Sequence, residues 1–397
     1  MNSSLIRQLI SFSQEMPAHA GEIRELITLL ETAETQRHRQ ILEAFLMAHK
    51  SIREPLKEYL SAVSRKKFRV YDSIPQHLRS RLEQAQTNDT MKSWADTLQS
   101  VPRFTKPLPE VSREYIQNAR SLWQERVFGN EEVLNTLLRH GLEYARTGQT
   151  TPVLLLGPPG VGKTLIAKTY SSILQLPHVF VSGPAACVNR GLAGAPNLYT
   201  GAGPGAIVQA MISTKVGNPC ICVDEIDKAL GGFSGAPNFQ NELLSALDDS
   251  NTAFHDNYLE MDIDGSHIPY IFTANDKLTI SDPLLDRMEV VEMFPPTKDG
   301  MLNIIRKFTL PKVLKTYGTD QIRMGDDAIE ALVEQLWRSG NRSCRPYQKA
   351  VGHLVSGACL QALEAGTTVT ISPAEARQAA DRFTQGSVRK PIGFLRT

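Results

Sequence analysis

Cysteine is scarce in this chain. Its 397 residues hold 5, namely Cys187, Cys220, Cys222, Cys344 and Cys359, an odd number without CxxC spacing. That count argues against a disulfide-stapled secreted domain and against a cysteine-built zinc site. Cys220 and Cys222 lie in an apolar, strand-like run, where small thiols pack as hydrophobes. An excess of one charge is missing too. Lys and Arg total 43 against 42 for Asp and Glu, a net charge of +1. No global field therefore draws the chain to nucleic acid or to an anionic membrane. No apolar run approaches the ~20 residues of a membrane span. The stretch from Met1 to Met16 carries Arg7 and lacks the uncharged core of a signal peptide. Solenoid repeats and low-complexity tracts are absent as well. The expectation is a protein of a reducing, cytoplasmic compartment, with the 41% hydrophobic content of an ordinary globular chain.

Residues 1–100 read as a helical N-terminal region. Ile23, Leu26, Ile27 and Leu30 share one helix face, as do Leu56, Tyr59, Leu60 and Val63. Ser51 and Glu54 have capping-box spacing ahead of the second set. Arg65, Lys66, Lys67 and Arg69 form a small basic cluster of the kind that is usually a solvated face. Pro102, Pro107 and Pro109 mark a linker, because proline fixes φ and removes donors. Residues 101–126 are this linker and a lead-in helix. In 127–296, strand-like runs at Val153–Leu156, His178–Val181, Cys220–Val223, Ile268–Phe272 and Val290–Phe294 alternate with helical ones. Such alternation predicts an α/β domain with a parallel sheet. Residues 297–397 read as mostly helical, with a short strand at Thr368–Ile371.

The strongest chemical signal is Gly157-Pro158-Pro159-Gly160-Val161-Gly162-Lys163-Thr164, which fills the pattern GxxxxGK[ST]. It follows an apolar run and precedes a helical segment opening at Leu165, which is the strand–loop–helix context a phosphate-binding P-loop needs. Glycines let backbone N–H groups turn inward on phosphate oxygens, and the helix N-terminus adds donors and a favourable dipole. Lys163 is expected on the β- and γ-phosphates of ATP and Thr164 on Mg²⁺. A second element, the run Cys220–Val223, delivers Asp224 and Glu225 at the carboxyl end of a strand, where ligands of parallel sheets bind. Asp224 is assigned to Mg²⁺ and Glu225 to the attacking water. Phosphoryl transfer needs charge stabilisation more than covalent chemistry. That directs attention to Asn275 beyond the next strand and to Arg287 in Pro-Leu-Leu-Asp-Arg. The bland alternatives are a turn residue for Asn275 and a surface ion pair for Arg287.

Several segments in order, Asn218–Lys228, Phe254–Glu260 and Pro283–Glu289, resemble the ATPase module of Lon proteases. The likeness runs from about Val127 to about Phe383 and is densest from Gly157 to Val291. It implies an AAA+ fold: a P-loop α/β domain, then a small helical lid, in a homo-oligomer expected to be a hexameric ring. It further implies Asn275 as the sensor-1 asparagine, Arg287 as an arginine finger acting on a neighbour's ATP, and Arg342 in Gly340-Asn341-Arg342 as the lid's sensor-2 arginine. Val127 and Phe128 take the position that packs near adenine. Tyr199, in Tyr-Thr-Gly-Ala-Gly-Pro-Gly, matches a first pore loop, and Phe233 an aromatic of a second. Pro346, soon after Arg342, departs from Lon.

The sequence ends at Thr397, shortly after the expected lid, so Lon's Ser–Lys peptidase domain is not expected here. The N-terminal 1–100 shows no likeness to Lon's substrate-recruitment domain. The expectation is an ATP-driven motor that remodels, unfolds or threads protein substrates through a pore, without protease activity of its own. Its N-terminal region would recruit a substrate or partner, and a separate peptidase chain is one candidate partner. The alternative is an ATP-dependent scaffold or nucleic-acid-associated switch whose assembly the nucleotide controls.

Overall fold

The computed structural model describes residues 9, 12–13, 17–31, 38–56, 67–85, 89–197, 201–230, 236–248 and 251–384. The chain divides into two compact units, residues 1–69 with 104–108, and residues 70–103 with 109–397.

In the first unit, helices Ala20–Glu31 and His38–Ala48 bury Ile23, Leu26, Leu30, Phe45 and Leu46 together with Ile52 and Leu56. Ile23, Leu26 and Leu30 follow the three-to-four-residue spacing that puts apolar side chains on one helix face. Phe68 and Thr105 tie the returning segment to this unit: the Thr105 N–H donates to the Phe68 carbonyl at 3.0 Å, and the Phe68 N–H donates to the Thr105 hydroxyl at 2.8 Å. Tyr59, Leu60, Val63, Arg65 and Lys66 lie outside the described residues.

The expected helical region 1–100 is not one piece. Residues 70–103 belong to the second unit. Helices Gln76–Ala85 and Asp89–Ser100 bury Leu78, Ala85, Trp94 and Leu98 in the same core as Ile221, Val223 and Phe272 of the sheet. The Trp94 indole N–H donates to the Tyr258 carbonyl at 3.1 Å, and Arg81 stacks over the Trp94 ring at 4.6 Å. Periodicity reveals that a helix has an apolar face but not which core receives it.

At the centre lies a parallel sheet of 5 strands in the order β2-β3-β6-β1-β7. Its strands are β1 (Val153–Leu156), β2 (His178–Ser182), β3 (Cys220–Asp224), β6 (Tyr270–Ala274) and β7 (Glu289–Glu292). A hairpin of β4 (Phe254–Asp256) and β5 (Met261–Ile263) is inserted between β3 and β6. The near-continuous apolar runs of β1, β3 and β6 are those of strands covered on both faces. β6 starts two residues later than the apolar run suggests, after Pro269, which has no N–H for the ladder. From β1 the chain runs to the β2 edge, returns through β3 to β6 beside β1, then crosses to β7 on the other side. Connections thus part on either side of β1, and its carboxyl end opens into a crevice suited to a ligand.

The lid follows Pro296. Helices Lys298–Ile304, Leu310–Tyr317, Asp326–Arg338, Cys344–Ala365 and Pro373–Asp381 enclose a separate core that includes Met301, Ile305, Leu332, Leu336, Tyr347, Val351 and Ala376. β8 (Ile322–Met324) pairs in parallel with β9 (Val369–Ile371). β8 was not legible as a strand, because Ile322-Arg-Met is too short to show a period.

Candidate active site

The P-loop leaves β1 at Gly157 and enters helix Lys163–Ile173. Gly162 has φ +102° and Gly160 φ +81°, in a region that side chains with a Cβ rarely adopt. The side chain of Lys163, 8% exposed, folds back over the loop. Its ammonium donates to the carbonyls of Gly157 at 2.6 Å and Pro158 at 3.0 Å, and to Asn275 Oδ1 at 3.1 Å. Burial holds the Lys163 amine below its ordinary pKa. The carboxylates of Asp227, Asp224 and Glu225 oppose that shift, and the Arg345 charge adds to it.

β3 brings Asp224 to the opposite wall. Asp224 Oδ1 lies 3.5 Å from the Thr164 hydroxyl and accepts from the Thr273 hydroxyl at 2.5 Å. The same Thr273 oxygen accepts the Glu225 N–H at 3.0 Å, so one hydroxyl on β6 bridges both acidic positions. Glu225 takes a left-handed backbone, φ +57°, and its carboxylate is ion-paired with Lys228 one turn on. Asn275 follows β6 directly, and its backbone N–H is held by Asp227 Oδ2 at 3.0 Å. A cleft of about 1200 Å³ is lined by Pro159 to Leu165, Asp224, Glu225, Asn275, Val127 and Phe128. The same cleft reaches the lid at Phe308, Lys312 and Arg345.

Two of the expected residues lie elsewhere. Arg287 does not line this cleft; its guanidinium turns back on the Pro283 carbonyl at 3.1 Å. Arg342 is also outside the cleft wall. Its guanidinium lies 3.8 Å over the Trp337 ring and donates to the Trp337 carbonyl at 2.8 Å. Tyr199 and Phe233 fall outside the described residues.

The root of the segment that carries Tyr199 is nevertheless described. Ala195 and Gly203 form an antiparallel bridge. Asp256 Oδ2 accepts the Gly205 N–H at 2.9 Å, and Asp256 Oδ1 accepts those of Tyr258 and Leu259. Asn257 donates its side-chain amide to the Gly194 carbonyl at 3.1 Å and its backbone N–H to the Ala193 carbonyl at 2.7 Å. Glu242 accepts from Leu192 N–H at 2.5 Å and, more weakly, from Ala193 at 3.4 Å. Burial raises the carboxyl pKa of both Glu242 and Asp256 above the ordinary range. Residue-by-residue reading missed Thr273, Asp227, Glu242 and Asp256. Asp227 and Asp256 stood in segments quoted above, and there only as part of a likeness.

The sheet order, the P-loop and the paired acids define a nucleotide-binding α/β domain of the AAA+ type. Residues 153–296 match the family described as ATPase family associated with various cellular activities (AAA). Beyond this domain the chain is similar to Lon proteases. It is 34% identical over 290 residues to the mitochondrial Lon protease homolog of Yarrowia lipolytica, covering 70% of this chain and 24% of that protein. It is 31% identical over 290 residues to the Lon protease of Nitratidesulfovibrio vulgaris, covering 71% and 34%. With the Lon protease of Brevibacillus choshinensis it shares 32% over 314 residues, covering 76% and 39%. The matched region thus spans about a quarter to two-fifths of these relatives. No helix among the described residues is long and apolar enough to cross a membrane.

Proposed function

We propose that this chain is an ATP-hydrolysing motor that assembles into a ring and pulls on protein substrates. The reading is carried by the convergence of Lys163, Thr164, Asp224, Glu225 and Asn275 on one cleft, while Arg287 stays outside it. The donor set fits Mg²⁺: a carboxylate and a hydroxyl 3.5 Å apart are hard oxygen ligands, beside a cation suited to phosphate. When bound, Mg·ATP supplies the phosphoanhydride bond and a divalent charge against its phosphate oxygens.

Lys163 would address phosphate oxygens in place of its present carbonyl partners. Asp224 and Thr164 would hold the metal, with Thr273 fixing the carboxylate's rotamer. Glu225 polarises the attacking water, and its strained backbone aims the carboxylate into the cleft. Asn275, anchored by Asp227, orients the same region. Val127 and Phe128 offer an apolar seat for the base. Arg287, released from the Pro283 carbonyl, would complete a neighbour's pocket, so the reaction would require a homo-oligomer; a hexamer is the ring we expect. Tyr199, on a segment rooted by Asp256 and Glu242, grips the substrate chain.

Glu225→Gln tests the chemistry. The variant should bind ATP, lose turnover by 100-fold or more, and stabilise the oligomer; unchanged turnover removes Glu225 from its role. Arg287→Ala and Lys163→Ala should each be inactive alone and regain part of the activity when mixed. Absence of rescue counts against a finger shared between subunits. Loss of unfolding of a tagged test protein in Tyr199→Ala, with ATPase retained, separates a motor from a nucleotide-controlled scaffold.

A further inference from the structure

The lid presents two arginines near the cleft, three residues apart, and the structure treats them differently. Arg342 is spent on its own domain. Its planar cation stacks on Trp337 and its N–H groups bond the Trp337 and Asn341 carbonyls at 2.8 and 3.2 Å. Freeing it would break a stacked contact and two hydrogen bonds. These contacts close the turn between helix Asp326–Arg338 and helix Cys344–Ala365. The buried Asn341 and Tyr347 stiffen the same turn, since the Tyr347 hydroxyl donates to the Asn341 carbonyl at 3.0 Å.

Arg345 sits one turn further on, and its surroundings are the reverse. It lines the cleft with Lys163, Asp224 and Glu225. Lys163 and Arg345 thus face one space from the P-loop and from the lid. Among the described residues its guanidinium has no ion pair and no hydrogen bond; only its backbone N–H bonds, to the Ser343 hydroxyl at 3.3 Å. The helix that carries it is seated on the P-loop itself. The Cys344 N–H donates to the Gly160 carbonyl at 3.1 Å. A Cβ at Gly160 would lie 2.0 Å from Ser343 Oγ and 3.4 Å from Arg345 Cγ. The first turn of this 22-residue helix holds no acidic residue to neutralise the pocket.

A guanidinium without an ion pair, set in the same cleft as the P-loop lysine, is placed to share an anion with it. A terminal phosphate is the anion that a P-loop lysine already addresses, and guanidinium binds phosphate with two parallel hydrogen bonds. We propose that Arg345, and not the Arg342 of the Gly-x-Arg motif, is the lid residue that contacts the γ-phosphate of ATP. Arg342 instead holds the turn that aims it. Loss of the γ-phosphate on hydrolysis removes the anion that Arg345 addresses, and the lid is thereby released. This inference rests on the ATPase reading above.

The test compares Arg345→Ala, Arg345→Lys and Arg342→Ala in the full chain, using equilibrium binding of ATPγS and of ADP, turnover and thermal melting. Arg345→Ala should weaken ATPγS at least tenfold while changing ADP less than twofold, with an unaltered melting temperature. Arg345→Lys should recover part of the ATPγS preference. Arg342→Ala should lower the melting temperature and keep the wild-type ATPγS-to-ADP ratio. If wild type hydrolyses ATP and Arg345→Ala retains its ratio, or Arg342→Ala loses it, the assignment to Arg345 is overturned. If wild type neither binds nor hydrolyses ATP, the ATPase reading itself fails.

Discussion

Asp256 is the residue whose removal should separate fuel consumption from work. Its carboxylate is buried and accepts three backbone N–H groups, from Gly205, Tyr258 and Leu259. Two of these bonds are local to the hairpin, on Oδ1. The third, on Oδ2, ties the far root of the segment carrying Tyr199. Asp256→Ala orphans three donors at about 1–3 kcal/mol each, less what is recovered by no longer burying a charge. A loss of about 3–6 kcal/mol at this root follows. Asp256→Asn keeps the Oδ1 pair if its amide oxygen faces Tyr258 and Leu259, and then points an NH₂ group at the Gly205 N–H. It should cost about 1.5–3 kcal/mol, the worth of one hydrogen bond to a charged group, and confine the damage to the root. Because this chain holds more than one folding unit, the measurement is local: amide hydrogen exchange of residues 192–195 and 203–205. Protection there should fall about tenfold or more in Asp256→Asn and further in Asp256→Ala. The P-loop helix should exchange as in wild type. ATP turnover should stay within about threefold and unfolding of a tagged protein should fail, since a slack root cannot transmit force. Wild-type protection in Asp256→Ala, or a larger effect of Asn than of Ala, would refute the reasoning.

Thr273→Val removes the hydroxyl shared by Asp224 and Glu225 without changing the side chain's shape. It should cost about 1–3 kcal/mol by leaving the Glu225 N–H unpaired, and kcat should drop more than ATP affinity; Thr273→Ser should restore both. The lowered pKa of Lys163 makes its amine titrate earlier than a surface lysine, so whatever acylation it undergoes should rise at lower pH than that of surface lysines, and ATP should protect it. The Cys220 thiol, pushed up to about 12 by burial, should resist alkylation in the native protein and react on denaturation. Rapid native labelling of Cys220 would mean that β3 is not held in the sheet.

The residues that announce themselves in this sequence are those whose chemistry demands a local pattern. Gly157 to Thr164 must be contiguous, because a phosphate is wrapped by consecutive backbone N–H groups, and Asp224-Glu225 must end an apolar run, because the strand delivers them. The alternating runs likewise predict a parallel sheet. The order of its strands was not legible, since which apolar run neighbours which depends on packing between distant segments. Only that order shows β1 flanked by β6 and β7 and the crevice at its end.

The tertiary structure alone decided four other matters. It placed helices Gln76–Ala85 and Asp89–Ser100 on the ATPase core, because Trp94 and Leu98 find their partners across the chain and not beside them. It joined Thr273 to Asp224 and Glu225 across neighbouring strands. It bound the root of the Tyr199 segment to Asp256 and Glu242, far along the sequence. It also turned Arg342 onto Trp337 while leaving Arg345 facing Lys163. Spacing in a sequence tells which side chains share a turn or a face. Which of two arginines is already engaged is settled only by the aromatic ring and carbonyls that the fold brings within reach.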